Sequence, residues 1–371
     1  MHEPHSRRGR CPALLLLALA ACNPPEEQVE VPWTAPDTPG PWTASTEAFE
    51  TTGSTGAALT IQVWYPASQV DDELYVYDDW MMGDAHEDGI PDCAAHRPVV
   101  LFSHGNMSFR YQSFFLTEHL ASHGYLVVAP DHFGNTLDDN TLPRGELAIR
   151  RPRDIADTFD WLLEHVADPE SLLYDCIDPE AGYALTGHSF GGYTTLATSG
   201  ATIDLEGLAA ACATSNSWMC SVEEYWAEHF PGETGGDLSD DRVWAAAPMS
   251  PAGRFVFGEG LADIEVPTLV MGGLLDDITP WENEVRPIYQ LLATTPRYLA
   301  GLEGAGHFTF SNFCVPGFDG CDPGDLSLEV AHPLLTSLIQ AHFDLARGEE
   351  RARPWLPPES EVLVWESVES R

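Results

Sequence analysis

The chain of 371 residues contains no lysine: its 17 basic residues are all arginine. That excludes Schiff-base chemistry on lysine, a pyridoxal-type site and the lysine of a phosphate-binding P-loop. Basic charge of any kind is scarce against 58 Asp plus Glu, and the net charge is -41. A nucleic-acid surface needs a basic footprint, so that class of partner is excluded too. The acidic excess favours solubility and, weakly, neutral or cationic substrates. Long apolar runs are also missing. The strongest, Pro12 to Ala21 with four consecutive leucines, is too short to span a bilayer. No CxxC spacing or histidine cluster accompanies the cysteines, so neither a zinc site nor any other metal is expected. No internal repeat is visible. What is present, 44% hydrophobic and 20% charged residues, suits one large or two ordinary globular domains with an ample core.

Arg7, Arg8 and Arg10 precede the apolar stretch, which has the proportions of an export signal. It ends in Leu19-Ala20-Ala21-Cys22, which resembles a bacterial lipobox. The resemblance implies loss of residues 1–21, lipidation of Cys22 and attachment to the membrane of a bacterial cell envelope. The alternative is ordinary cleavage after small residues and a secreted product, with Cys22 incidental. Residues 22–48 read as a flexible tether, from the Pro-, Glu- and Thr-rich stretch Asn23 to Pro41. Export makes Cys93, Cys176, Cys212, Cys220, Cys314 and Cys321 disulfide candidates. Six cysteines allow fifteen pairings. The close pairs Cys212–Cys220 and Cys314–Cys321 are expected, leaving Cys93–Cys176.

From Leu59 onward, short apolar runs alternate with helical patterns. Strands are predicted at Leu59 to Tyr65, Pro98 to Ser103, Tyr125 to Ala129, Tyr183 to Thr186, Val243 to Ala247, Val266 to Met271 and Arg297 to Ala300. Helices are predicted over Gln112 to Ser122, Arg153 to Val166, from about Gly191, near Trp281 to Leu292, and over Leu328 to Ala346. Such alternation means a mostly parallel sheet flanked by helices, in a domain over 49–350 with a tail at 351–371. Two segments break the rhythm. Val70 to Ala95 is acidic and turn-rich. Its Asp84, Asp88 and Asp92 faintly suggest a calcium loop, but Ala95 stands where an EF-hand needs glutamate, so it reads as a solvated acidic loop. Residues 203–241 carry Trp218, Tyr225, Trp226 and two cysteines. They read as an insertion after the nucleophile helix, either a lid or a disulfide-stapled excursion.

Gly187-His188-Ser189-Phe190-Gly191-Gly192 follows a strand and opens a helix. This is G-x-S-x-G in the setting where the pattern carries chemistry: glycines permit a tight turn, and the serine stands exposed at its apex. Together with Val63-Trp64-Tyr65-Pro66, Phe102-Ser103-His104-Gly105 and Leu120-Ala121-Ser122-His123-Gly124-Tyr125, it makes the chain resemble an α/β-hydrolase from about Leu59 to Ala346. Within that fold it resembles the platelet-activating-factor acetylhydrolase family and the dienelactone-hydrolase-like and cutinase-like polyesterases. The resemblance implies a serine hydrolase acting on carboxylic esters through an acyl-enzyme, without a cofactor.

Ser189 is then the nucleophile. The Phe190 amide gives one oxyanion donor, and by resemblance Asn106 gives the second, with Met107 as the alternative. His307, in the glycine-freed loop after the Arg297 to Ala300 strand, is the expected base. For the acid, the acetylhydrolase-like position after Val243 to Ala247 holds no carboxylate. The polyesterase-like loop Gly272 to Pro280 does, and matching Ile278 and Pro280 places the acid at Asp276, with Asp277 as runner-up. His188 is expected to support the turn, His104 to make a structural hydrogen bond and Arg110 a surface ion pair. Met107, Trp281 and Phe308 are expected to contact substrate: a short-acyl phospholipid, a small ester or a polymeric ester. The competing readings are an inactive, lipid-anchored binding protein and a serine peptidase on the same fold.

Overall fold

The computed structural model describes residues 32–214, 217–233, 236–313 and 324–369. Residues 1–21, Cys22, Cys314 and Cys321 lie outside them, and with them the signal, lipidation and third-disulfide expectations. The other two expected pairs are bonded, Cys93 to Cys176 and Cys212 to Cys220.

Twelve strands form one sheet: β1 (Thr43–Thr52), β2 (Ala58–Gln69), β3 (Leu74–Tyr77), β4 (Met81–His86), β5 (Ile90–Pro91), β6 (Val99–Ser103), β7 (Leu126–Pro130), β8 (Tyr183–His188), β9 (Val243–Met249), β10 (Thr268–Gly273), β11 (Arg297–Leu302) and β12 (Leu363–Val368). Their order is β12-β11-β10-β9-β8-β6-β7-β2-β1-β4-β3, with β5 on β2. The stretch from β7 to β11 is parallel, and β2 and β12 close its two sides antiparallel. The helices are α1 (Phe114–Ser122), α2 (Arg144–Ala167), α3 (Phe190–Thr198), α4 (Leu205–Cys212), α5 (Cys220–His229), α6 (Arg254–Phe257), α7 (Arg286–Leu291) and α8 (Leu328–Ala346).

The sheet is covered on both faces, which is why its central strands are apolar without interruption. In β6, Val100 and Phe102 join the core beneath α1 and α8, while Val99 and Leu101 face Ile155, Phe159 and Leu162 of α2. All five residues of β6 and of β7 are buried.

Four sequence expectations are corrected. β1 lies largely inside the supposed tether; its TASTEAFETT composition is too polar to read as a core strand, and pairing with β2 over its whole length holds it. β12 falls in the supposed tail, where Trp365 stacks on Tyr298. Residues 70–95 are not simply a loop: β3 and β4 extend the sheet, tied down where Tyr77 donates 2.7 Å to buried Glu118. Finally, α2 begins nine residues before Arg153 and runs through Pro152. The proline removes one backbone donor, but Leu147, Arg151, Ile155 and Phe159 share one buried face, and that packing outweighs the lost bond.

Candidate active site

The sharp turn from β8 into α3 is built by close approach. A Cβ on Gly191 would lie 1.8 Å from the Ser103 carbonyl oxygen, and one on Gly187 would lie 2.6 Å from the same atom. Only glycines let the elbow pass under the end of β6. Between them Ser189 is held at φ 58°, ψ -113°, a conformation that L side chains rarely adopt. Its amide donates to Met249 O and its carbonyl accepts from Tyr193, so the neighbouring strand and helix hold the strain in place.

Asp276 and His307 come together from the ends of β10 and β11. His307 Nδ1 lies 2.8 Å from Asp276 Oδ2, and both side chains are almost entirely buried. Asp276 Oδ1 accepts the amides of Ile278 and Thr279 at 2.9 and 2.8 Å. The Thr279 hydroxyl lies 2.8 Å from Asp276 Oδ2 and 3.0 Å from the Ser250 carbonyl. Burial alone raises the Asp276 pKa. The hydrogen bond and charge of His307, with the Thr279 donors, outweigh it and bring the carboxyl below its ordinary value. Asp277 is exposed and makes none of these contacts. The Ser189 hydroxyl has no hydrogen-bond partner among the described residues.

His188 joins this pair to the elbow. Gln112 Nε2 can only donate, so His188 Nδ1, 2.6 Å away, is an acceptor. His188 Nε2–H therefore donates to the His307 carbonyl at 2.9 Å. Burial and the adjacent His307 push the His188 pKa down to about 3, which keeps this tautomer neutral. Gln112 Oε1 accepts the Gly105 amide at 2.6 Å, which extends the chain of bonds to the 103–107 loop.

A cleft of about 150 Å³ opens over Ser189 and is lined by Asn106, Arg144, Ser189, Phe190, Trp218, Ala252, Ile278 and Thr279. A larger one, about 720 Å³, runs between α2 and α5, so volume does not single out the site; the strained serine does. The Phe190 and Asn106 amides donate to no described residue. Arg110 pairs with Asp131 at 2.6 Å and His104 is buried in hydrogen bonds.

The substrate contacts expected of Met107, Trp281 and Phe308 are corrected, because none of them lines the cleft. Trp281 is buried against Gly301 and Leu274 behind β11. Met107 sits at φ 55° with its side chain turned to solvent, and the Phe308 ring packs edge-on against His307. Trp218 does line the cleft. It comes from the insertion, whose α4 and α5 are stapled by Cys212–Cys220, and its ring meets Phe190 edge-on at 5.7 Å. Sequence carried a hint of this in the insertion's tryptophans, but nothing there told Trp218 from Trp226, which faces the core.

A mostly parallel sheet, a serine at the turn after β8, an aspartate after β10 and a histidine after β11 define the α/β-hydrolase fold. The similarities among known proteins agree with it. A family model described as chlorophyllase matches residues 89–211. The chain is 26% identical over 212 residues to Cutinase 2 of Thermobifida cellulosilytica, a match covering 57% of this chain and 60% of that protein. It is equally similar to Cutinase cut1 of Thermobifida fusca, of which 49% is covered. The chain thus spans about half to three fifths of the curated relatives it matches.

Proposed function

We propose that this protein is an exported serine hydrolase of carboxylic esters. Ser189 attacks the acyl carbon, His307 takes the serine proton and passes it to the leaving alcohol, and Asp276 holds the His307 ring and stabilises its imidazolium. The Phe190 and Asn106 amides receive the oxyanion, and water then cleaves the acyl-enzyme. The observation that carries this reading is a strained serine on a cleft beside a buried, hydrogen-bonded aspartate–histidine pair. Similarity to proteins named cutinases supports an ester rather than a peptide bond. The small cleft supports a short acyl group, carried by a small ester, by the end of a polymer or by a short-acyl phospholipid. The two disulfides support an oxidising compartment outside the cytoplasm, and the lipobox-like Leu19 to Cys22 supports a lipid anchor there.

The test is labelling with a fluorophosphonate, followed by hydrolysis of p-nitrophenyl esters of rising chain length. Wild-type protein should label at Ser189 and turn over acetate and butyrate esters faster than long-chain ones. An unlabelled wild type would favour the alternative of an inactive, membrane-tethered binding protein.

A further inference from the structure

Beneath the elbow, Arg151 is completely buried in α2, and its guanidinium meets only neutral acceptors. Its Nε–H donates 3.1 Å to Thr194 Oγ1, and the Thr194 hydroxyl donates 3.0 Å to the Phe190 carbonyl. One terminal nitrogen donates 2.5 Å to Asn135 Oδ1, and the other end of that amide donates 3.0 Å to Asn106 Oδ1. The other terminal nitrogen donates to the His104 carbonyl and, at 3.2 Å, to Ser103 Oγ. The guanidinium carbon lies 4.7 Å from the centre of the Phe190 ring. Every one of these groups belongs to, or leads directly to, one of the two segments whose amides face the cleft.

We infer that Arg151 is the positioning residue of the oxyanion hole, fixing the Asn106 and Phe190 segments to one another and placing behind them a buried positive charge that no carboxylate contacts directly. This rests on the ester-hydrolase reading of the site. The physical argument has two parts. A buried guanidinium without a contacting carboxylate is expensive for a fold to keep, and no carboxylate bonds to this one among the described residues. Asp154, one turn along α2, is instead held by His132 at 3.1 Å and lies 3.7 Å from Arg150. The planar fork also matches the task, because diverging donors can fix two chain segments at once where a lysine ammonium would offer one point of charge. Preorganised donors and charge on the developing oxyanion act in the transition state more than on bound substrate.

The test compares wild type with Arg151→Met, Arg151→Lys and Asn135→Leu on p-nitrophenyl acetate, with thermal melts to verify folding and fluorophosphonate labelling of each protein. Arg151→Met should lose about a hundredfold or more in kcat with KM changed by less than about threefold. Arg151→Lys, which keeps the charge but not the fork, should recover only part of that. Asn135→Leu, which cuts only the link to Asn106, should lose about tenfold in kcat, and it decides the matter if Arg151→Met does not fold. A folded Arg151→Met with kcat within threefold of wild type, or a loss confined to KM, overturns the inference while leaving the ester-hydrolase reading intact. A wild type that neither labels nor hydrolyses overturns that reading and this inference with it.

Discussion

Two sets of serine, histidine and aspartate lie in this molecule, one with its serine directly after β8 and the other with its serine ending β6. In one, Ser189 borders a cleft at φ 58°, and Asp276 grips His307 at 2.8 Å. In the other, Ser103 Oγ lies 2.8 Å from His132 Nε2, and His132 Nδ1 lies 3.1 Å from Asp154 Oδ2. All three of its residues are sealed from solvent. The second has the more complete hydrogen bonding, yet it has no cleft and no strained backbone, and Arg151 occupies its serine oxygen. Their carboxyls also part ways. Asp276 accepts two amides and a hydroxyl and sits below its ordinary pKa. Burial raises Asp154 to about 7 despite Arg150 and Arg151. Residue types in hydrogen-bond order therefore do not make two sets alike; access, strain and local donors separate them.

The largest effect should come from the serines. Ser189→Ala should lower ester hydrolysis by at least about a thousandfold, while Ser103→Ala should stay within about tenfold, because its buried hydroxyl meets His132 and Arg151 rather than the cleft. Steady-state kinetics on purified, folded variants measure both, and comparable losses would erase the distinction.

Next come the carboxyls. Asp276→Asn should lose about a hundredfold to ten-thousandfold in kcat through loss of the His307 tautomer. Exposed Asp277→Asn should remain near wild type. Asp154→Asn, a neutral stand-in for a carboxyl that is already partly protonated, should keep kcat within about tenfold. If Asp277→Asn lost more than Asp276→Asn, the acid role would move to it.

The smallest effect is on stability. Burial holds His104 and His132 well below 6.5, His119 and His188 at about 3 and His342 at about 4. Folded, they stay neutral; unfolded, they take up protons near pH 6.5. The unfolded chain then binds more protons as the pH drops, so their contribution is complete above about pH 6.5 and is lost progressively towards pH 4. Asp154 and Glu284, raised to about 7 and about 6, oppose this, as do Glu47, Glu118, Asp131 and Asp344, which burial also raises; His123 and His332, lowered to about 4, add to the imidazoles. The Tm should fall by about 5 °C or more between pH 7.5 and pH 5. A flat profile would mean that these imidazoles charge in place, and with them the inert His132.

Legibility varied with the range of the interaction. The elbow, the strand alternation and the loops carrying Asp276 and His307 could be read because each is a local pattern: glycines around a serine, continuous apolar runs, a glycine-rich turn. β1 and β12 could not, since their polar compositions become strands only through the partners they pair with. The start of α2 was hidden by Pro152, whose local penalty is outweighed by packing that no window of sequence displays.

Sequence by itself determined the acidic, lysine-free surface, the parallel sheet and the turn that exposes Ser189, because charge, hydrophobic run length and glycine spacing act over a few residues. Tertiary structure decided which residues face the cleft, putting Trp218 there instead of Trp281. It also opened the serine of one serine, histidine and aspartate set to a cleft while sealing the other set around Arg151. Those outcomes depend on groups far apart in the chain, such as Arg151 and Phe190 or Asp276 and His307, whose burial and hydrogen bonding exist only once the sheet has brought them together.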